Sequence, residues 1–137
     1  MPEFLLKGRK VVEGRCKGLA LVTTRSISFL GSVDPNRGVI VDRNHDLYGE
    51  SIKDKVLCFP HGSGSTVGSY VLYSLKKKRL APKAILNSNA DPVIVVGAII
   101  SDIPMMDQVD IMKIKTGDCL YVDAFTGKVK VTRRGGN

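Results

Sequence analysis

The chain has 137 residues, the length of a single domain, and its 43% hydrophobic and 25% charged residues match a globular protein, which excludes disordered and collagen-like classes. The longest uncharged apolar run, residues 92–101, is about half the length that a membrane-spanning helix needs. The first residues also lack a signal peptide's basic and apolar regions. With three widely spaced cysteines and no export signal, we expect a cytoplasmic protein that does not bind membranes.

The chain is basic, with 21 Lys and Arg against 13 Asp and Glu and a net charge of +8. This balance predicts an anionic partner: a nucleic acid, a phosphorylated small molecule or an acidic protein surface. Trp is absent and only 6% of the residues are aromatic, which argues against a platform that stacks single-stranded bases.

In chain order, the first half reads mainly as short strands. Apolar pairs broken by glycines predict β-structure over residues 4–24, and 31–38 have the composition of a loop. Residues 39–41 and 55–60 are further strands, the latter apolar and stopped by a proline. The polar segment between them contains His45.

A glycine- and serine-rich turn, residues 61–68, precedes the best helical pattern of the chain. Basic residues 76–79 suit the carboxyl end of that helix. An apolar face is predicted from residues at helical spacing: Val67, Tyr70, Val71, Ser74 and Leu75. Three hydroxyl side chains suit the position that caps the first turn: Ser63, Ser65 and Thr66.

The second half predicts a buried strand at 84–87, which makes residues 55–87 a parallel strand–helix–strand unit. Residues 93–100 are apolar throughout, and periodicity leaves strand and buried helix both open. A closing hairpin is expected at the end of the chain, from residues 119–123 and 128–132. We therefore predict one mixed α/β domain over 1–137, with 133–137 as a loose tail.

The strongest chemical signal is the turn before the helix. Backbone amides at a helix amino terminus form an anion site, and they would stabilise a deprotonated Ser65 as a proton acceptor. A tight turn with a capping serine explains the same residues without any chemistry. The glycine spacing approaches a dinucleotide-binding fingerprint, but the next strand lacks the terminal acidic residue that binds the ribose. The turn also lacks the Lys of a nucleotide-binding P-loop, so neither kind of nucleotide site is predicted.

Metal binding by this chain is not predicted. Cys16, Cys58 and Cys119 lack a Cys-x-x-Cys spacing, so core packing is the favoured interpretation. His45 and His61 do not have the spacing of a metal site, and His61 is interpreted as a wall residue or a hydrogen-bonding residue of the glycine-rich turn.

Four sequence blocks carry a family resemblance, which covers about residues 4–132. The blocks are ISFLGSVDP (27–35), VDRNHDLYGE (41–50), FPHGSGSTVGSY (59–70) and GAIISDIP (97–104). They resemble the small subunit of the archaeal aconitase X family, and GSTVGSY and NHDLYG are specific to it. One departure is Ser32, where a second glycine is expected.

The resemblance implies a swivelling β/β/α domain with mixed sheets and one main helix after the Gly/Ser-rich turn. It implies a heterodimer with a large subunit that carries a [4Fe-4S] cluster, and the chain alone would be inactive. The reaction would be dehydration of (R)-5-phosphomevalonate to trans-anhydromevalonate 5-phosphate in the archaeal mevalonate pathway. Ser65 would be the proton acceptor, with Ser63 as its competitor, and Gly62, Ser63, Gly64 and Thr66 would contact substrate.

Three alternatives stay open at this point. Other members of the family dehydrate hydroxyproline. A phosphohistidine-carrying swivel domain has a similar ending, but it needs a histidine where Ser65 and Thr66 stand. A basic nucleic-acid-binding module would explain the charge, although we expect no nucleic-acid partner.

Overall fold

A computed structural model gives the fold of residues 2–133. The strands are β1 (Glu3–Lys7), β2 (Arg9–Val12), β3 (Arg15–Val22), β4 (Val33–Asp34), β5 (Val39–Ile40), β6 (Val56–Phe59), β7 (Ala84–Asn87), β8 (Met105–Asp107), β9 (Cys119–Asp123) and β10 (Lys128–Thr132). The helices are α1 (Phe29–Ser32), α2 (Gly68–Lys77) and α3 (Pro92–Ser101), and a 3-10 turn covers Ile111–Lys113. None of the helices among these residues is long and apolar enough to cross a bilayer.

Eight of the strands form one mixed sheet in the order β1-β10-β9-β3-β6-β7-β8-β2. Strands β3, β6, β7 and β8 run parallel, and the other neighbours are antiparallel. The two ends of this order, β1 and β2, are consecutive in the chain and are joined by Gly8 alone. The sheet therefore closes on itself at Gly8, where an added Cβ would lie 2.8 Å from the carbonyl oxygen of Asp107.

Strands β6 and β7 are buried on both faces because a core lies on each side of them. Side chains alternate across a strand, so Leu57 and Phe59 join the cluster that packs under α2 and α3, whereas Val56 and Cys58 point into the closed sheet. This arrangement explains why the two strands read as continuous apolar runs. The predicted mixed α/β fold, with a main helix after the Gly/Ser-rich turn, is confirmed.

The undecided segment 93–100 is a helix. Pro92 occupies its first turn, where a missing amide hydrogen costs nothing, and Asp102 ends it in the left-handed conformation at φ 53°. The predicted hairpin at the end of the chain and the parallel pairing of β6 with β7 are also observed. The three residues of β8 escaped prediction, because a strand this short has no period to detect.

The buried face of α2 differs from the predicted one. Leu72 and Leu75 are buried, but Val67 and Tyr70 are 48% and 69% exposed. α3 packs closely against the Leu72 side of α2, where an added Cβ on Gly97 would lie 3.0 Å from Leu72. Tyr70 instead lines a groove with Val93, Val96 and Ile100, outside the core.

The predicted tail begins at Arg133, whose guanidinium donates to the carboxylate of Asp118 at 3.0 and 2.9 Å. The rest of it, residues 134–137, lies outside the described residues.

An ion pair between the exposed Arg9 and the buried Asp107 ties β2 to the end of β8. Asp107 is 1% exposed and accepts two hydrogen bonds from Arg9, at 2.8 and 2.7 Å, and one from the amide of Ala90. These donors, the Arg9 side chain foremost, hold the pKa of the Asp107 carboxyl below its usual range.

This pair makes stability depend on pH. The pKa of Asp107 is lower in the folded chain than in the unfolded chain, where it is near 3.8. The ion pair therefore contributes its full stability above the unfolded-state pKa, and this stability is lost as the pH falls through the folded-state pKa. We therefore expect Asp107→Asn to unfold at lower denaturant than the wild type at pH 7, and the two midpoints to converge as pH drops below about 4. Urea titrations between pH 7 and pH 3 measure this, and a constant difference over that interval would contradict it.

Candidate functional site

The predicted serine loop lies where the parallel strands end. The segments that follow β3, β6 and β7 all leave the sheet at its carboxyl edge, which is where ligands bind in open and in closed parallel α/β sheets. The segment after β6 contains Gly62, Ser63, Gly64, Ser65 and Thr66 and leads directly into α2.

The segment after β3 holds this loop in place. Ile27 and Gly62 form a parallel bridge, and the amide of Ser63 donates to the carbonyl oxygen of Ile27 at 3.1 Å. Gly64 has a φ of +88°, and an added Cβ there would lie 2.3 Å from the hydroxyl of Ser28. Only glycine fits both the conformation and the space at this position.

Ser65 lies one turn before the helix. Its hydroxyl oxygen accepts the amide hydrogen of Val67 at 3.1 Å, and its carbonyl oxygen accepts that of Gly68 at 2.9 Å. Val67, directly before α2, has helical backbone angles and no side-chain cap, so of the three predicted capping residues Ser65 alone caps, and it caps the turn that leads into α2. The serine caps the amide of Val67, which fixes its hydroxyl beside the first turn.

Three consecutive amides precede that turn. Those of Gly64, Ser65 and Thr66 donate to no acceptor within residues 2–133. These free amides lie two to four residues before α2, and together with the dipole of that ten-residue helix they favour negative charge nearby. They are the groups that would stabilise an oxyanion on the Ser65 side chain or on a ligand.

The other predicted site residues differ in exposure. Ser63, Gly64 and Thr66 are exposed, whereas Gly62 is buried, and an added Cβ would lie 2.3 Å from Ile94. Gly62 thus has a packing function, and its predicted contact with substrate stays a prediction. His61 donates from Nδ1 to the carbonyl oxygen of Gly62 at 2.8 Å, in agreement with its interpretation as a loop hydrogen-bonder.

Sequence reasoning missed the polar residues of the neighbouring segment. Thr23 donates to Asp46 at 2.6 Å, and Arg25 donates to the carbonyl oxygen of Asn44, which joins the segment after β3 to the NHDLYG block. His45 is buried there, with its Nε2 3.1 Å from the carbonyl oxygen of Ser26. No local signal in the sequence indicated these contacts, because they join two segments that only the fold brings together.

The cysteines do not form a metal site. Cys58 is fully buried in β6, and burial raises the pKa of its thiol far above the ordinary value. Burial also raises the pKa of the Cys16 thiol. Among residues 2–133, no three His, Cys, Asp or Glu side chains come together as metal ligands, so this part of the chain does not fit an iron–sulfur cluster.

Sequence comparison identifies relatives along nearly the whole chain. Residues 5–131 match the model of the aconitase X swivel domain. The phosphomevalonate dehydratase small subunit of Thermococcus sibiricus is 54% identical, over 92% of this chain and 97% of the relative. The protein of the same name from Methanococcoides burtonii is 48% identical, over 98% and 100%.

Solved structures agree with the sequence relatives. Aconitase X from Thermococcus kodakaraensis, in its holo-form, superimposes with a TM-score of 0.92 at 50% identity, covering 97% of this chain and 100% of that one. The 3-isopropylmalate dehydratase structure from Methanocaldococcus jannaschii shares only the fold, with a TM-score of 0.59 at 15% identity over 90% and 84% of the chains. The chain described here belongs to the aconitase X swivel-domain family.

Proposed function

We propose that this chain is the small subunit of a hydro-lyase that dehydrates (R)-5-phosphomevalonate to trans-anhydromevalonate 5-phosphate, a step of the archaeal mevalonate pathway. The names of its relatives support this substrate. The observation in this chain that carries the proposal is the placement of Ser65 beside three free amides at the start of α2.

The proposed contribution of the chain is proton removal. Dehydration takes a proton from the carbon next to the one that carries the hydroxyl group, and a serine does this only as an alkoxide. The amides of Gly64, Ser65 and Thr66 and the dipole of α2 favour that negative charge. Their effect grows when water is excluded, so the exposed Ser65 needs a covering partner to become an effective base.

The covering partner in this proposal is a large subunit. It would hold the [4Fe-4S] cluster, for which residues 2–133 supply no ligand set. We assign the docking of the large subunit to an apolar surface of this chain, which continues from the serine loop along α2 and α3. A groove of about 340 Å³ there reaches from Thr66 to Ile100. Tyr70, Val96 and Ile100 are exposed apolar side chains of its lining, and Val67 and Ile99 are further exposed apolar side chains close to them in sequence.

This assignment predicts that catalysis requires the complex. The isolated chain should show no dehydration, and the chain with its reconstituted large subunit should turn over 5-phosphomevalonate under anaerobic conditions. Val96→Asp would bury an unpaired charge in the contact, so we expect the complex to bind at least about tenfold more weakly. Anaerobic gel filtration and a coupled substrate-loss assay measure both effects.

Met112→Asp is the matched control, since Met112 is 69% exposed and does not line the groove. Equal binding of the two variants would reject this surface while leaving the reaction in place. Turnover of hydroxyproline, but not of 5-phosphomevalonate, by a stable complex with a full cluster would reject the substrate. Location in the cytoplasm stays a prediction.

A further inference from the structure

A second cavity lies at the amino-terminal edge of the parallel strands, opposite the serine loop. Its volume is about 850 Å³. Its walls come from the start of β3, from the residues that precede β6 and β7, and from the carboxyl ends of α2 and α3. None of the serine-loop residues lines it, so the function proposed for Ser65 does not account for it.

The lining of this cavity is strongly basic, with six Lys and Arg side chains against the two carboxylates of Asp54 and Asp102. The six cations are Arg15, Lys17, Lys53, Lys76, Arg79 and Lys83. Within residues 2–133, Arg15 pairs with Asp123 at 3.4 Å, and the other five form no ion pair. Like charges gathered around one space repel, and a bound anion relieves that repulsion.

Two of these lysines are held at the wall by backbone groups. Lys83 donates from Nζ to the carbonyl oxygen of Lys17 at 3.2 Å, and Lys76 donates to that of Asp102 at 3.4 Å. A carbonyl oxygen accepts a hydrogen bond without neutralising the ammonium charge. Each ammonium group therefore has further hydrogens to donate to a ligand.

The shape and the floor of the cavity indicate the kind of anion. Ala81 and Pro82 are buried at the lining, Cys16 and Pro104 are half-buried, and no aromatic side chain is present. The absence of aromatic groups from this lining disfavours stacked bases. The volume is that of a small-ligand pocket, whereas a duplex would need an extended basic stripe.

We propose that this cavity binds a small molecule that carries two or more phosphate groups. Two such groups bring about three to four negative charges, which suits the excess of cations over carboxylates in the lining. The apolar floor would accommodate a hydrocarbon part of the same molecule. Because the cavity and Ser65 lie at opposite edges of the sheet, this ligand would be distinct from the substrate, and the site does not depend on the function proposed above.

Titration calorimetry of the full chain with pyrophosphate and with inorganic phosphate tests the proposal, at an ionic strength of about 0.15 M. We expect saturable binding of pyrophosphate, about tenfold tighter than that of phosphate. The variant Lys53→Ala/Lys83→Ala should weaken it by about tenfold. The control Lys7→Ala/Lys128→Ala removes the same charge from two exposed side chains that face each other in β1 and β10, and it should change the affinity less than about twofold.

Several results would overturn the proposal. If both double variants weakened pyrophosphate binding equally, the binding would come from diffuse surface charge. If pyrophosphate binding did not saturate, the cavity would not be a binding site. Binding of duplex DNA through Lys53 and Lys83, without pyrophosphate binding, would make the edge a nucleic-acid surface. Loss of pyrophosphate binding in the complex with the large subunit would make it a subunit contact. If Lys53→Ala/Lys83→Ala unfolds, Arg79→Gln replaces it, because this variant changes a single exposed side chain of the cavity. Its pyrophosphate affinity is then compared with that of the same control.

Discussion

Ser65→Ala should lower the dehydration rate of the reconstituted complex by about a hundredfold or more, the typical loss when a general base is removed. The physical reason is that only this hydroxyl in the loop accepts the amide of Val67 and lies one turn before α2. Steady-state assays with 5-phosphomevalonate should place the loss in kcat, because the base acts in the transition state. Binding of the large subunit and thermal unfolding should stay close to those of the wild type.

Ser63→Ala is the control for this experiment. Ser63 is exposed in the same turn, but the group it contributes to the loop's anchoring is its backbone amide, which donates to Ile27 and survives the substitution. We expect a loss below about tenfold for this variant. The reverse order of the two losses would transfer the base to Ser63, and full activity in both variants would place it on the large subunit.

Gly62→Ala should damage the loop through steric crowding alone, because Gly62 does not have the left-handed conformation of Gly64. The added Cβ would lie 2.3 Å from Ile94 and 2.5 Å from the carboxylate of Asp91, so the loop or α3 has to move. Overpacking of this kind costs about 1–3 kcal/mol of unfolding free energy. A displaced loop also misplaces Ser65, so kcat should fall together with the stability. Urea unfolding and the dehydration assay measure the two losses in the same preparation.

Gly68→Ala makes the same chemical change six residues later and is the matched control. Its Cβ would meet Val93 at 3.4 Å, an ordinary contact, and alanine is the better helix former at the start of α2. We expect this variant to be as stable as the wild type or slightly more so, and active. If both variants lost the same stability, steric crowding at Gly62 would not be the cause.

Much of the fold was predictable because strong local patterns agreed with the long-range contacts. The apolar run ending at Phe59, the glycine turn and the strand at 84–87 together specify a parallel unit, and that unit places the loop at the carboxyl edge. The closure of the sheet at Gly8 was not predictable, since it depends on pairing of one bent strand with both β10 and β8. Residues this far apart in sequence leave no local signal.

The candidate site was predictable only in part. The serine turn was predictable from the sequence alone, because all its residues are contiguous in the chain. The exposed face of α2 was read wrongly at Val67 and Tyr70, since helical spacing marks a face but does not say whether it meets the core or a partner. Arg25 and Asn44 were missed because their contact joins loops that only the folded sheet brings together.

The burial of Cys58 and the raised thiol pKa values of Cys58 and Cys16 have a practical consequence for handling the enzyme. Oxidants attack exposed thiolates, and neither thiol provides one. Oxygen damage to the proposed enzyme would therefore concentrate on the iron–sulfur subunit. We therefore expect a chain prepared in air to keep its Cys58 and Cys16 thiols reduced, with the half-buried Cys119 as the thiol open to oxidation.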